Sequence, residues 1–199
     1  MSDQVPAGTL RLVKSTGQEG VVSLLIVGED GHITPHTISR KDYEGLGAPA
    51  VGTVLSPDTL AYIEDLVARR EASLAALRIL EYGDNNRRTL MQKLLKKGIS
   101  HTIAEDTVAH MVELGYIDEE RFALRQVVLC AKKGWSRKRT HAHLVSHGFP
   151  SQTASRAILR AEEQNEADFQ ENRRAFIQKK QEQGLSGTAL KQALWRAGF

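Results

Sequence analysis

Lysine and arginine come in clusters along the second half of this chain: Arg87 and Arg88; Lys93, Lys96 and Lys97; Lys132 and Lys133; Arg137, Lys138 and Arg139; Arg173 and Arg174; Lys179 and Lys180. Lys93, Lys96 and Lys97 form a second strip in the first unit; the others recur near the start of short amphipathic segments or just before them, where helix N-terminal N–H groups and cations together favour phosphates and carboxylates. The formal charge is only +3, but it is unevenly spread: residues 1–72 hold 6 Lys/Arg against 10 Asp/Glu (−4), and residues 73–199 hold 21 against 14 (+7). A mildly acidic first part and a basic second part direct the second part at a polyanion. Ordinary solvated helix faces are the plainer alternative, and charge alone does not separate the two. Trp135, set among these cations, offers a ring on which a base stacks. The simpler expectation is that it packs in a crevice between helices.

The other residues that could do chemistry fall short of a catalytic set. His143 and His147 stand four apart on one helical face, which would present two metal nitrogens, but no neighbouring Cys or acidic residue completes a site and His-Glu-x-x-His is absent. No metal and no cofactor are expected. There is no Gly-x-x-x-x-Gly-Lys-[Ser/Thr] phosphate loop, and "GLGAPAVG" (45–52) fails the dinucleotide-binding spacing and reads as a loop. The single cysteine, Cys130, lies in an apolar helical pattern and is expected to be buried and inert. Asp118 reads as a helix cap rather than a catalytic acid. The chain is therefore expected not to be an enzyme.

The elements that must carry the basic clusters show as a repeat. "LLKKGI" (94–99), "LVSHGF" (144–149) and "LWRAGF" (194–199) align Leu94, Leu144 and Leu194, then Gly98, Gly148 and Gly198, at a spacing of 50. Each phrase ends a short helix, over 86–97, 137–147 and 187–197, whose apolar face is Leu90, Leu94 and Leu95; Thr140, Leu144 and Val145; and Leu190, Leu194 and Trp195. The glycine supplies a left-handed helix stop, and Ile99, Phe149 or Phe199 folds back as the hydrophobic partner of that stop. Around these, Ser100 and Ser151 are expected to cap a following helix, Ser136 and Ser186 to cap the second and third short helices, and Asn85 or Asp84 to cap the first. Tyr116 and Phe122 are expected in the core between units. Each unit is three helices over roughly 40–50 residues, a period typical of helical arrays whose units share a core. The third unit stops before its third helix.

Ahead of the repeats the pattern is that of strands, alternating by two at 9–15 and 32–39 and a run of β-branched and aliphatic residues at 21–27. "TLRLVKS" (9–15), "VVSLLIV" (21–27) and "HITPHTIS" (32–39) read as strands, with Pro35 placing the last at a sheet edge, and "VGTVL" (51–55) as a further short strand. Ser39 is expected to cap a short helix closed by Gly47. Ser56 and Pro57 then open a helix with Leu60, Ile63, Leu66 and Val67 on one face. The fold expected is mainly α: tandem three-helix repeats forming a curved, elongated array after a small β-rich section. The divisions are 1–56 (β-rich), 57–72 (linking helix), 73–115, 116–164 and 165–199 (repeats, the last truncated). The longest apolar runs fall short of a membrane span, the N-terminus lacks a secretory pattern, and the low cysteine content fits a soluble cytoplasmic protein.

Several of these segments, in order, resemble the RecX family, bacterial regulators of the recombinase RecA. "LGYIDEERFA" (114–123) matches the family's Gly-Tyr-[Leu/Ile]-Asp-Asp-x-Arg-Phe-Ala most closely. "GWSRKR" (134–139) is similar to the start of its second-repeat helix, and "ALRIL" and "LMQKLLKKGI" extend the likeness, which covers about residues 73–199. "YGDNNRRTLMQKL" departs from the family pattern, which has a basic residue, a serine and a Glu-Leu pair there. The resemblance implies a cytoplasmic, monomeric inhibitor that binds the RecA–single-stranded-DNA filament in its groove. It would damp ATP turnover, strand exchange and co-protease activity in recombination, repair and the SOS response. The fourteen cations above are the expected contacts to filament and DNA. The residues alone leave two alternatives: a generic nucleic-acid-binding helical module, or a protein-interaction scaffold docking through the β-rich section.

Overall fold

The computed structural model describes residues 6–17 and 19–199. The chain divides into two compact units, one of residues up to Ala75 with Ile99–Ile103, the other of Ala76–Gly98 with Ala104–Phe199.

The first unit is built on an antiparallel sheet in the order β1-β2-β3, with β1 Leu10–Ser15, β2 Val21–Val27 and β3 Ile33–Ser39. Alternation along β2 sends Val22, Leu24 and Ile26 to one face, where they form a core with Leu10, Ile38, Leu55 and Ile63. Pro35 sits opposite Leu25 on the edge strand β3, as its missing N–H requires. Ser39 caps α1 (Arg40–Gly45), its hydroxyl accepting from the Asp42 N–H at 3.0 Å. The expected strand at 51–55 is only a single bridge, Thr9 to Val54. Its backbone bonds run to Gly8 and Leu10 across glycines in left-handed geometry (Gly8 φ +79°, Gly52 φ +91°), and these turns stop a ladder from propagating.

Helix α2 (Pro57–Glu81) starts at Ser56, whose hydroxyl accepts from the Thr59 N–H at 3.1 Å. Ile63 is fully buried, and Leu60, Leu66 and Val67 pack beside it, the face expected from spacing. No glycine or proline interrupts the helix after Pro57, so it passes 72–73 without a break.

The second unit carries α3 (Arg87–Lys96), α4 (His101–Glu113, from Ala104 on), α5 (Glu119–Lys132), α6 (Arg137–Ser146), α7 (Ser151–Glu163), α8 (Phe169–Glu182) and α9 (Gly187–Ala197). Starts at 87, 137 and 187, at 101 and 151, and at 119 and 169 preserve the 50-residue period read from the sequence. The main core joins Ala123, Val127 and Ala131 of α5, Leu144 of α6, Phe149, and Ala154, Ala157, Ile158 and Ala161 of α7. The alanine stripe of α7 lets the helices approach closely. All three stop glycines adopt positive φ, +83°, +94° and +81° at Gly98, Gly148 and Gly198. The Phe149 N–H donates to Leu144 O at 3.1 Å and Phe199 N–H to Leu194 O at 3.0 Å, the long bond of a Schellman stop.

Several local expectations are corrected. Asn86, not Asn85 or Asp84, caps α3, forming a reciprocal capping box with Thr89. Pro150 occupies the cap position of α7 in extended geometry, so Ser151 is already inside the first turn, its hydroxyl 3.2 Å from His141 Nε2. Ser186 stands at the cap of α9 without a side-chain bond to it. Tyr116 is 56% exposed, because Gly115 turns the chain and hands the core position to Ile117. Leu90 and Leu94 are buried but Leu95, Val145 and Trp195 face solvent, since these short helices bury one narrow stripe and the next residue lies 100° around it.

Candidate nucleic-acid interface

The loop between α5 and α6 gathers the most organised part of the basic surface. Gly134 turns the chain at φ +72°, and Ser136 caps α6 by accepting from the Arg139 N–H at 3.2 Å. From Trp135 onward, every fourth residue falls on one face: Trp135, Arg139, His143, His147. The Arg139 guanidinium lies 4.2 Å from the Trp135 ring centroid and the Lys133 ammonium 5.6 Å from it. His143 meets the same ring edge-on, centroids 5.0 Å apart, and the His143 and His147 rings stand 3.9 Å apart. Cation–π contacts of this kind hold a guanidinium in place while leaving its N–H edge free to donate. Trp135 itself is half-buried, between the crevice and the stacking platform that the sequence offered as alternatives. The imidazole of His143 is held below its ordinary pKa, first by burial and then by His147, Lys133 and Arg139. Its protonated form is therefore disfavoured.

The other cations are placed individually. Lys132 is exposed at the end of α5, and Lys138 is exposed in the first turn of α6. Arg137 pairs with Glu162 of α7 at 3.5 Å. On α3, the aliphatic stem of Arg88 packs against Gly148, Lys93 donates to Asn85 at 2.7 Å, and Lys96 and Lys97 are exposed at the C-terminal end. Arg173 and Arg174 lie within α8 rather than at its start, Arg174 3.2 Å from Glu171. Lys179 is exposed in the last turn, and Lys180 lies 5.6 Å from the Phe176 ring and 2.9 Å from Gln183. The structure thus brings Lys133 and Arg139 together on Trp135, and sets the stem of Arg88 instead against Gly148.

The starts of α3 and α6 are each tied to another part of the protein. The Arg87 N–H donates to the Glu119 carboxylate at 2.9 Å, and the Asn86 amide donates to His147 O at 2.9 Å. At α6, the Ser136 hydroxyl donates to Ala197 O at 2.8 Å and Gly198 is seated against it. At α3 the first helical amide is thereby taken by Glu119, and the charged tips of the side chains are what that helix presents to a polyanion. Sequence reading missed Glu119 and Asn86 as occupants of α3. It also missed the Trp-Arg-His-His ladder, although the i, i+4 spacing of 135, 139, 143 and 147 was a visible signal.

Asp118 caps α5, accepting from the Arg121 N–H at 2.9 Å, and has the structural role expected of it. Cys130 is 2% exposed, and burial raises its thiol pKa above the ordinary value against the opposing pull of Lys133 and Arg139.

Against known proteins, no family model matches the chain. The chain is 33% identical over 105 residues to Regulatory protein RecX of Stenotrophomonas maltophilia (strain R551-3), covering 53% of this chain and 62% of that protein. It is 31% identical over 80 residues to Regulatory protein RecX of Vibrio cholerae serotype O1 (strain M66-2), covering 40% of this chain and 51% of that protein. The matches thus span between half and two thirds of the length of these curated relatives. A crystal structure of regulatory protein RecX superposes with a TM-score of 0.75 at 15% identity, over 96% of this chain and 94% of that one, so the fold is shared nearly end to end. The resemblance read from residues 114–123 and their surroundings is borne out by named relatives. Among the described residues no helix is long and apolar enough to cross a membrane.

Proposed function

We propose that this chain is a RecX-type regulator that binds the RecA–single-stranded-DNA filament in its groove and restrains it without catalysing a reaction. The observation that carries the reading is the sequence likeness over 105 residues to proteins named Regulatory protein RecX. The geometry supplies a physical route. Helical units repeated every 50 residues present exposed cations at recurrent positions, and the Trp135–Arg139 stack holds one guanidinium ready for phosphate. Seated there, the protein would obstruct the second DNA strand and the repressor substrate, and by bridging protomers would slow ATP turnover. In this reading residues 73–115, 116–164 and 165–199 act as successive repeats after the 57–72 helix, and the protein works as a cytoplasmic monomer.

The decisive measurement is single-stranded-DNA-dependent ATP hydrolysis by the cognate RecA, titrated with this protein. Inhibition well below one molecule per RecA is the expected result. Lys138→Glu with Arg139→Glu, which leaves the Arg137–Glu162 pair intact, should weaken it by about tenfold or more. No inhibition at equimolar protein would overturn the regulator reading.

A second reading, a nucleic-acid module without a recombinase partner, draws on the same Trp-Arg stack. It predicts binding to single-stranded DNA alone that falls roughly 10³-fold between about 50 and 200 mM salt for about six phosphate contacts. Filament capture, with protein contacts added, should fall less.

A further inference from the structure

Behind the histidine ladder, the second unit holds a cavity of about 220 Å³ whose lining includes Lys93, Phe122, Gln126, His143, His147 and Phe149. Its inner wall is apolar, with Leu144 and Phe149 almost fully buried and the Phe122 and Phe149 rings tilted at 59° with centroids 5.2 Å apart. The His143 and His147 rings, 3.9 Å apart, form another wall. The polar groups around it differ in what they have left to give. Asn85 is fixed, donating to Gly83 O at 2.8 Å and accepting from Lys93 at 2.7 Å. Asn86 is likewise engaged by Thr89 and His147. Among the described residues, the Gln126 amide and the His143 imidazole line the cavity without a protein hydrogen bond. An amide and a neutral imidazole each offer one edge that donates and one that accepts.

Aromatic walls with donor and acceptor edges left open suit a flat heteroaromatic ring that carries both kinds of group. The volume lies below the roughly 300–1,000 Å³ of cavities that enclose a drug-sized ligand, so it fits a single ring system with its sugar and phosphate outside. Lys93 at the cavity, and Arg139 one turn before His143 on the same face, supply positive charge for that phosphate. We propose that this cavity takes one unstacked nucleobase, read by Gln126 and His143 between the Phe122/Phe149 and His143/His147 walls. The inference rests on the single-stranded-DNA contact proposed above and adds to it a site that recognises a base rather than a phosphate.

The test compares two oligonucleotides of equal length and equal phosphate number, one oligothymidine and one with abasic sites throughout its centre, binding to the full chain. The intact strand should bind about tenfold tighter, in the range that base stacking gives on alanine substitution. Gln126→Ala should erase most of that difference while leaving the abasic affinity unchanged, and His143→Ala should likewise erase the difference between the two strands. Equal binding of the two strands by the unaltered protein would overturn the base site but leave strand binding standing. Binding of neither would overturn both.

A third arm separates strand from free nucleotide. In a Trp195→Phe background, Trp135 is the sole indole and reports on His143. Quenching by the oligothymidine but not by millimolar thymidine monophosphate is expected. Saturable quenching by the monophosphate at lower concentration than by the strand would overturn the assignment to DNA in favour of a mononucleotide.

Discussion

The side-chain amide of Asn86 donates to the main-chain carbonyl of His147 across 2.9 Å, tying the start of one short helix to the end of the next. The Ser136 hydroxyl makes the corresponding bond to Ala197 O at 2.8 Å, again between residues 61 apart. The cap residue of each helix therefore serves twice: its acceptor closes its own first turn, and its donor satisfies a carbonyl that the following Schellman stop would leave open. Repeats stacked in this way are joined by hydrogen bonds whose donors are set by single residues in the sequence.

Asn86→Ala should remove the α3 cap and leave the His147 carbonyl without its partner at once. A loss of about 1–2 kcal/mol in urea unfolding is expected from typical cap and hydrogen-bond values. Asn86→Asp keeps the acceptor for Thr89 but replaces the donor facing His147 O, so it should cost most of that amount while α3 remains capped. Equal stability of the Asn86→Asp variant and the unaltered protein would show that the bond between the helices contributes little.

The stop glycines should differ in their tolerance of a side chain. A Cβ at Gly98 meets nothing within 4 Å, so Gly98→Ala should cost only the left-handed strain of about 1 kcal/mol. A Cβ at Gly148 would come within 2.9 Å of the Arg88 Cβ and closer to its Cδ, so Gly148→Ala should cost at least about 2 kcal/mol. Adding Arg88→Ala to Gly148→Ala should restore part of the difference, measurable as a double-mutant cycle.

The depressed His143 pKa has a fixed sign in the pH dependence of stability. Above about 6.5, the ordinary histidine value, folded and unfolded states are both neutral at this residue and it contributes no slope. As the pH falls below that value the unfolded chain takes up a proton that the folded chain resists, so stability declines until the lower folded pKa is passed. Between about pH 7.5 and 5.5 the melting temperature of the unaltered protein should therefore fall further than that of His143→Gln. Parallel profiles would show that His143 titrates alike in both states.

Cys130 should resist thiol reagents in the folded protein and react on unfolding. It is buried and its thiolate is disfavoured. Labelling by a disulfide reagent at about pH 8 should speed up by at least about a hundredfold in denaturing urea. Rapid labelling in buffer would mean that α5 opens locally far more often than its packing implies.

The repeat and the class of each element are written in the order of the amino acids. Leucine at 94, 144 and 194 and glycine at 98, 148 and 198 specify helix stops through short-range geometry, and Gly98, Gly148 and Gly198 indeed carry positive φ. A run of β-branched and aliphatic residues marked β2, and Asp118, Ser136, Ser39 and Ser56 were recognisable caps because a cap is read within four residues. What each cluster faces came from long-range packing instead. Nothing local told that Asn86 rather than its neighbours would cap α3, since that choice also depends on the His147 carbonyl arriving from 61 residues away. Tyr116 and Trp195 are apolar by type yet exposed, because which side of a short helix is covered depends on the helix packed against it. The cations Arg87 and Arg88 looked equivalent to Arg137 and Arg139 in sequence. Gly148 against the Arg88 stem, Glu162 beside Arg137 and Trp135 beneath Arg139, brought in by the packing of the helices, made them different.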